Sequence, residues 1–277
     1  MSIQILALPA GVAAGLAGIL ALVLALLSKY FAPAVDEKVS QVSDALPGAN
    51  CGACGFAGCM SFAEAVCAGN APVNGCIPGG ESVTAGISSI LGISAIAGAK
   101  RIAAVACNGT PENTYNIMDY RGLNTCEAAT MFYGGEKVCS YACLGHGDCA
   151  VKCPFGAIIV DDGIAKINKY ICTGCGICVE TCPKHVIHLV EADGTAFIKC
   201  SNHDSPKVAN KICKTSCIAC RKCVRLCGEE NIRLYDNLAI VNHDDAGVSE
   251  YEREAVGVCP HNTITYISMD PNDPTYN

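Results

Sequence analysis

Apolar residues dominate the first stretch of this chain. From Ile5 to Leu27 the sequence ILALPAGVAAGLAGILALVLALL carries no charge, and at 1.5 Å per residue such a run is long enough to cross the ~30 Å hydrocarbon core of a bilayer. It predicts a single N-terminal transmembrane helix. A cleaved leader fits less well, because no Lys or Arg precedes the run and the run is too long for a leader core. Lys29 and Lys38 follow it, which by the bias of basic residues toward the inner side places the rest of the chain in the cytoplasm. Beyond this stretch the apolar positions become periodic and short. VDEKVSQVSDAL, stopped by Pro47 and Gly48, predicts a helix. Residues 82–99 are apolar but rich in Gly and Ser, and predict a linker helix rather than a second span. KRIAAVAC predicts a strand delivering Cys107, and LNTCEAATMFYGG sets Cys126 at a helix start. DGIAKIN (162–168) and DNLAIVN (236–242) are matching strand phrases.

Composition then changes the picture. Twenty-two cysteines in 277 residues, with no Trp and 16% charged residues, make metal ligation a main source of stability, with binding and folding coupled. The clearest group is Cys172, Cys175, Cys178 and Cys182, followed by Pro183. Its C-x2-C-x2-C-x3-C-P spacing is that of bacterial-type ferredoxins, in which the fourth cysteine ligates the neighbouring cluster. Zinc sites instead present two separated C-x-x-C pairs around one ion. Disulfide frameworks belong to short chains in oxidising compartments. A looser run, Cys139, Cys143, Cys149 and Cys153-Pro154, supplies the partner. Exchange of the fourth ligand groups Cys139, Cys143, Cys149 and Cys182 around one cluster, and Cys172, Cys175, Cys178 and Cys153 around another.

Three further groups complete the set. Cys51-x2-Cys54-x4-Cys59, with Cys76 sixteen residues on, surrounds glycines that let the backbone fold about a cluster. Cys217, Cys220 and Cys223 repeat the ferredoxin run, and Cys259-Pro260 is taken as their fourth ligand. Each terminal cysteine is followed five residues later by isoleucine: Cys153/Ile158, Cys182/Ile187, Cys227/Ile232 and Cys259/Ile264. The second module is thus a copy of the first. The copy is degenerate, because Ala246, Ser249 and Glu252 align with Cys172, Cys175 and Cys178, so one cluster is lost and Cys227 is released. Cys107, Cys126, Cys200 and Cys213 remain as isolated cysteines and are grouped as one further site. Five 4Fe-4S clusters then use twenty cysteines, leaving Cys227 and Cys67, the latter a buried small hydrophobe.

The fold class expected is α+β: the transmembrane anchor (1–34), a small 4Fe-4S domain (35–81), a linker and connecting region (82–138), a two-cluster ferredoxin module (139–198) and a degenerate one-cluster module (199–277). The net charge of −7 gives no hint of nucleic acid as a partner. Against it, Lys199 to Arg225 carries seven basic residues and one acid, Asp204, which either offset the negative charge of the thiolate-ligated cluster or form a solvated face, or suit docking of an acidic ferredoxin. The six histidines are scattered, as surface or capping residues are.

An apolar N-terminus, CGACGFAGC, Cys76-x-Pro-Gly-Gly, YACLGHGDCAVKCPFGAI and two ferredoxin modules closely resemble the B subunit of the Rnf complex over nearly the whole chain. The resemblance implies a membrane-bound, ion-translocating ferredoxin:NAD oxidoreductase, in which this subunit relays electrons between soluble ferredoxin and the other subunits. Carried over by position, it implies Cys51, Cys54, Cys59 and Cys76 as first-domain ligands. The missing cysteines in 246–258 depart from the family pattern. There is no G-x-G-x-x-G and no phosphate-binding loop, so NAD is expected to bind elsewhere in the complex. The competing reading is a membrane-tethered iron-sulfur protein serving another dehydrogenase or hydrogenase, or a redox sensor.

Overall fold

The structure, a computed structural model, describes residues 3–30, 36–95, 98–242 and 250–270. Its first element is α1 (Ile3–Tyr30). Side chains in this helix are described from Ala14 to Ser28, and all of them are exposed. Among the described residues, no helix is long and apolar enough to cross a membrane. The expected transmembrane helix over 5–27 is corrected accordingly, and residues 5–13 of it lie outside the described side chains. The single-pass membrane localisation, with the clusters on the cytoplasmic side, loses its support with it.

Three helices build the small domain that follows. α2 (Glu37–Ala45) falls where VDEKVSQVSDAL predicts it, opened by Asp36, whose carboxylate accepts the Lys38 N–H at 3.0 Å. α3 (Cys59–Cys67) and α4 (Gly80–Leu91) bury Phe62, Ala63, Val66 and Ile87 against Val39 and Val42 of α2. Gly92, at φ 70°, ends α4 in the left-handed conformation that glycine adopts without steric cost. The predicted linker helix is therefore in part a wall of this core.

Two copies of one motif form the rest. In the first, β1 (Arg101–Val105) is followed by α5 (Cys126–Thr130), α6 (Asp148–Lys152), the strands β2 (Ile158–Asp161) and β3 (Ile164–Ile167), α7 (Ile177–Thr181) and β4 (Ile187–Glu191). β2 and β3 form a hairpin whose turn residues Asp162 and Gly163 both have positive φ, the geometry that matches strand twist. β1 and β4 pair antiparallel, from Arg101↔Glu191 to Val105↔Ile187. The second copy repeats this order with β5 (Thr195–Ile198), α8 (Pro206–Ile212), α9 (Lys222–Cys227), the hairpin β6 (Ile232–Tyr235) and β7 (Leu238–Val241), α10 (Glu250–Val258) and β8 (Ile264–Ile267), with β5 paired to β8. Each module thus begins with an outer strand. The first reaches back to Arg101, inside the stretch expected to be a linker.

The repeat extends to its turns. Gly156, His185 and Asn262, each three residues after a Cys-Pro cysteine, adopt positive φ and donate their N–H to that cysteine's carbonyl at 3.0–3.3 Å. In the third repeat, at Cys227, the turn is shifted by one residue: Gly228 has the positive φ, 84°, and Asn231 donates its N–H to the Gly228 carbonyl at 3.3 Å. The two outer sheets share an apolar core, in which Ile102, Ala104 and Val190 of the first module meet Phe197 and Ile267 of the second. Lys169, buried, reaches across to the Ser268 carbonyl at 2.6 Å.

Candidate metal centres

In the small domain, Gly52 (φ 74°) and Gly55 (φ 84°) shape the cysteine loop, and the Gly55 N–H closes on the Gly52 carbonyl at 2.8 Å. Asn50 Oδ1 accepts the Cys59 N–H at 2.9 Å and ties the start of α3 to that loop. Cys76 arrives from the α3–α4 connection. Burial pushes its thiol up, the Gly79 N–H opposes the rise, and the charges of Cys59, Cys54 and Cys51 add to it. These four cysteines are therefore neighbours.

The second group lies against β1. The Ala103 N–H donates to the Cys172 sulfur at 3.3 Å, and a Cβ at Gly174 (φ 72°) would collide with the Arg101 carbonyl. Cys178 is pushed up to about 12, first by burial and then by the charges of Cys172, Cys175 and Cys153. The structure thus gathers Cys153 with Cys172, Cys175 and Cys178.

The third group differs from the expected one. One cavity is lined by Cys126, Cys143, Cys149 and Cys182, among Leu144, Val160 and Val186. Cys149 is pushed up to about 12 by burial, then by Cys143, Cys126 and Cys182, with Cys178 beyond them. Asp148 places Cys126 there, because its carboxylate accepts the N–H groups of Cys126 and Glu127 at 2.9 and 3.1 Å and so caps α5 from the start of α6. Cys139 lines a different cavity, with Cys107, Cys200 and Cys213. The two cysteines have exchanged places relative to the expected partition.

The last group lies in the second module, where Cys217, Cys220, Cys223 and Cys259 line one cavity. Burial pushes Cys223 up to about 11, with Cys217, Cys220 and Cys259 adding to the rise. Cys227 is buried in the core of that module and Cys67 is partly buried in the first domain. Of the positions aligned with a lost cysteine run, Ala246 and Ser249 lie outside the described residues, as does the side chain of Glu252.

The donor set fits an iron-sulfur group. It consists of thiols alone, the ligand type such clusters take. No disulfide joins any of the twenty-two cysteines. Cys139 and Cys143 are also pushed up, to about 11, and Cys200 to about 12, chiefly by burial, so ligation would release protons and contribute to folding. Among the described residues, no three His, Cys, Asp or Glu converge on a point that a single metal ion would occupy. A cubane takes one thiolate per iron, which holds the four sulfurs farther apart than a mononuclear site does.

A family profile described as "Putative Fe-S cluster" matches residues 46–78, and one described as "4Fe-4S binding domain" matches residues 165–188. The chain is 34% identical over 254 residues to the B subunit of the ion-translocating oxidoreductase complex of Methanosarcina acetivorans, covering 91% of this chain and 95% of that one. It is 38% identical over 256 residues to the B subunit of the Na(+)-translocating ferredoxin:NAD(+) oxidoreductase complex of Acetobacterium woodii, covering 91% and 76%. It is 36% identical over 251 residues to the B subunit of the proton-translocating ferredoxin:NAD(+) oxidoreductase complex of Clostridium ljungdahlii, covering 90% and 88%.

Proposed function

The chain belongs to the family of B subunits of ion-translocating ferredoxin:NAD(+) oxidoreductase complexes, and we propose that it carries electrons along a row of 4Fe-4S clusters held by its cysteine quartets. It is an iron-sulfur protein with an electron-transfer role in such a complex, and the other subunits of the complex are its partners.

The quartets assigned to clusters are Cys51/Cys54/Cys59/Cys76, Cys153/Cys172/Cys175/Cys178, Cys126/Cys143/Cys149/Cys182 and Cys217/Cys220/Cys223/Cys259. A bound cluster supplies one-electron chemistry at a potential tuned by hydrogen bonds to sulfur and by burial. The chain's own part is to hold thiolates in fours, to aim N–H groups at them and to keep water away. The observation that carries the reading is the nearness of one quartet to the next. Burial raises the Cys175 thiol first, but the charge of Cys51 acts on it too, and that of Cys178 acts on Cys149. Cys143, Cys149 and Cys182 also pack in one core with Cys153, Cys172 and Cys178, so the second and third quartets adjoin.

Soluble ferredoxin is proposed as the external partner, at the second module. Lys207, Lys211, Lys214, Arg221, Lys222 and Arg225 are all exposed on α8, α9 and the loop between them. An acidic ferredoxin would be steered to this face by charge.

Repeated reduction and reoxidation of the purified chain tests the relay. The expected result is that the electron paramagnetic resonance signals of several reduced clusters return in each cycle at constant iron content. Loss of iron in the first cycle would replace the relay with a redox sensor.

A further inference from the structure

We propose that Cys107, Cys139, Cys200 and Cys213 hold a 4Fe-4S cluster shared between the two modules, two thiolates from each, which joins their separate clusters into one path. This rests on the relay reading above. Neither family profile covers any of the four positions.

The site is built twice over. Cys107 follows β1 by two residues and Cys200 follows β5 by two residues, so the modules contribute them from equivalent strand ends. Cys139 stands four residues before Cys143, and Cys213 four before Cys217. CSYAC and CKTSC are thus equivalent phrases. In each, the second cysteine faces its own module's cavity and the first faces the shared one.

The hydrogen bonds repeat the same relation. The Cys107 sulfur accepts the N–H of Gly109 at 3.3 Å, and the Cys200 sulfur accepts that of Asn202 at 3.4 Å, both two residues downstream. Each also accepts one N–H from a ligand of the adjoining cluster: Cys143 to Cys107, and Cys217 to Cys200, both at 3.4 Å. The Asn202 side-chain amide donates to Cys139 at 3.5 Å.

Buried cysteines often serve as small hydrophobes. A packed interior closes around such residues, whereas these four line one common cavity, and the sulfurs of Cys107, Cys139 and Cys200 receive polar N–H groups. Its volume, about 20 Å³, equals those of the cavities at the two adjoining quartets.

The consequence is a single route between modules. One electron enters the shared cluster from the Cys143 side and one leaves to the Cys217 side, or the reverse. No bond is made or broken and no proton moves.

Iron and sulfide content of paired variants of the full chain tests the grouping. The parent should hold about twenty iron, and Cys107→Ala about four fewer. Adding Cys139→Ala to Cys107→Ala should remove no more, since both serve one cluster. Adding Cys126→Ala instead should remove about four more. The proposal is overturned if Cys107→Ala keeps all its iron, or if the Cys107/Cys126 pair loses only as much as Cys107→Ala alone. Should the alanine variants fail to fold, native mass spectrometry of the unaltered holoprotein decides: five cubanes support the shared cluster and four overturn it. A sixteen-iron chain that still cycles reversibly would remove this site and leave the relay standing. A twenty-iron chain that loses clusters on cycling would do the opposite.

Discussion

His146 stands in the first module at the position that Cys220 occupies in the second. The runs are Cys143-x2-His146-x2-Cys149 and Cys217-x2-Cys220-x2-Cys223. The imidazole is turned toward another set of partners, with Nδ1 2.7 Å from Asn124 Oδ1, Nε2 3.2 Å from Glu136 Oε1 and the ring edge-on to Tyr120 at 5.6 Å. Cys126, two residues beyond Asn124, lines the cavity in its stead. The insertion after β1 thus supplies by tertiary contact a thiol that the run itself lacks.

Cys126→Ala should therefore lose about four iron. Adding His146→Cys should restore them, because it recreates the C-x2-C-x2-C spacing on the same loop. Iron analysis and the resonance spectrum of the reduced protein check both. A double variant that stays four iron short would mean that the loop around residue 146 no longer has the ferredoxin shape.

Gly174 and Gly156 both sit at positive φ, 72° and 62°, yet their surroundings differ. A Cβ at Gly174 meets the Arg101 carbonyl of β1, whereas one at Gly156 meets nothing within 4 Å. Both alanine variants carry left-handed strain of roughly 1 kcal/mol. Only Gly174→Ala must also push β1 off the loop that bears Cys172 and Cys175, breaking the Ala103 N–H to Cys172 contact. Gly174→Ala is expected to lose about four iron on purification and Gly156→Ala none. Equal iron content in the two would show that β1 is not needed to close that site.

The basic face of the second module gives a salt-dependent rate. Lys214→Glu with Lys222→Glu should slow reduction by an acidic ferredoxin severalfold at low ionic strength and shrink the salt dependence, since screening acts over about 8–10 Å. Reduction by a small uncharged donor should be unchanged. Stopped-flow absorbance measures both. A parent-like rate with ferredoxin at low salt would mean that electrons arrive at another face.

Several features were legible without coordinates because each is local. The run from Cys172 to Cys182 puts its ligands on one short loop, and Cys51, Cys54 and Cys59 do the same, so spacing alone marks the sites. The fourfold Cys-to-Ile phrase reports a duplicated unit, and its shifted turn at Gly228 was foreshadowed by the missing proline. Other features depended on the fold. Cys126 and Cys139 carry no spacing that says which cavity each lines. That choice follows from Asp148 capping α5, which draws Cys126 to one side, and from the pairing of β1 with β4, which sets Cys107 beside Cys143. The strand Arg101–Val105 is legible in KRIAAVAC, but its partner Ile187–Glu191, more than eighty residues away, is set only by the fold. The apolar N-terminus invited a membrane span from hydropathy alone, while among the described residues no helix is long and apolar enough to cross a membrane. Local spacing determines which cysteines come in runs; contacts between distant segments determine which four share a cavity, because ligands from separate strands and insertions meet only when the sheets that carry them pack.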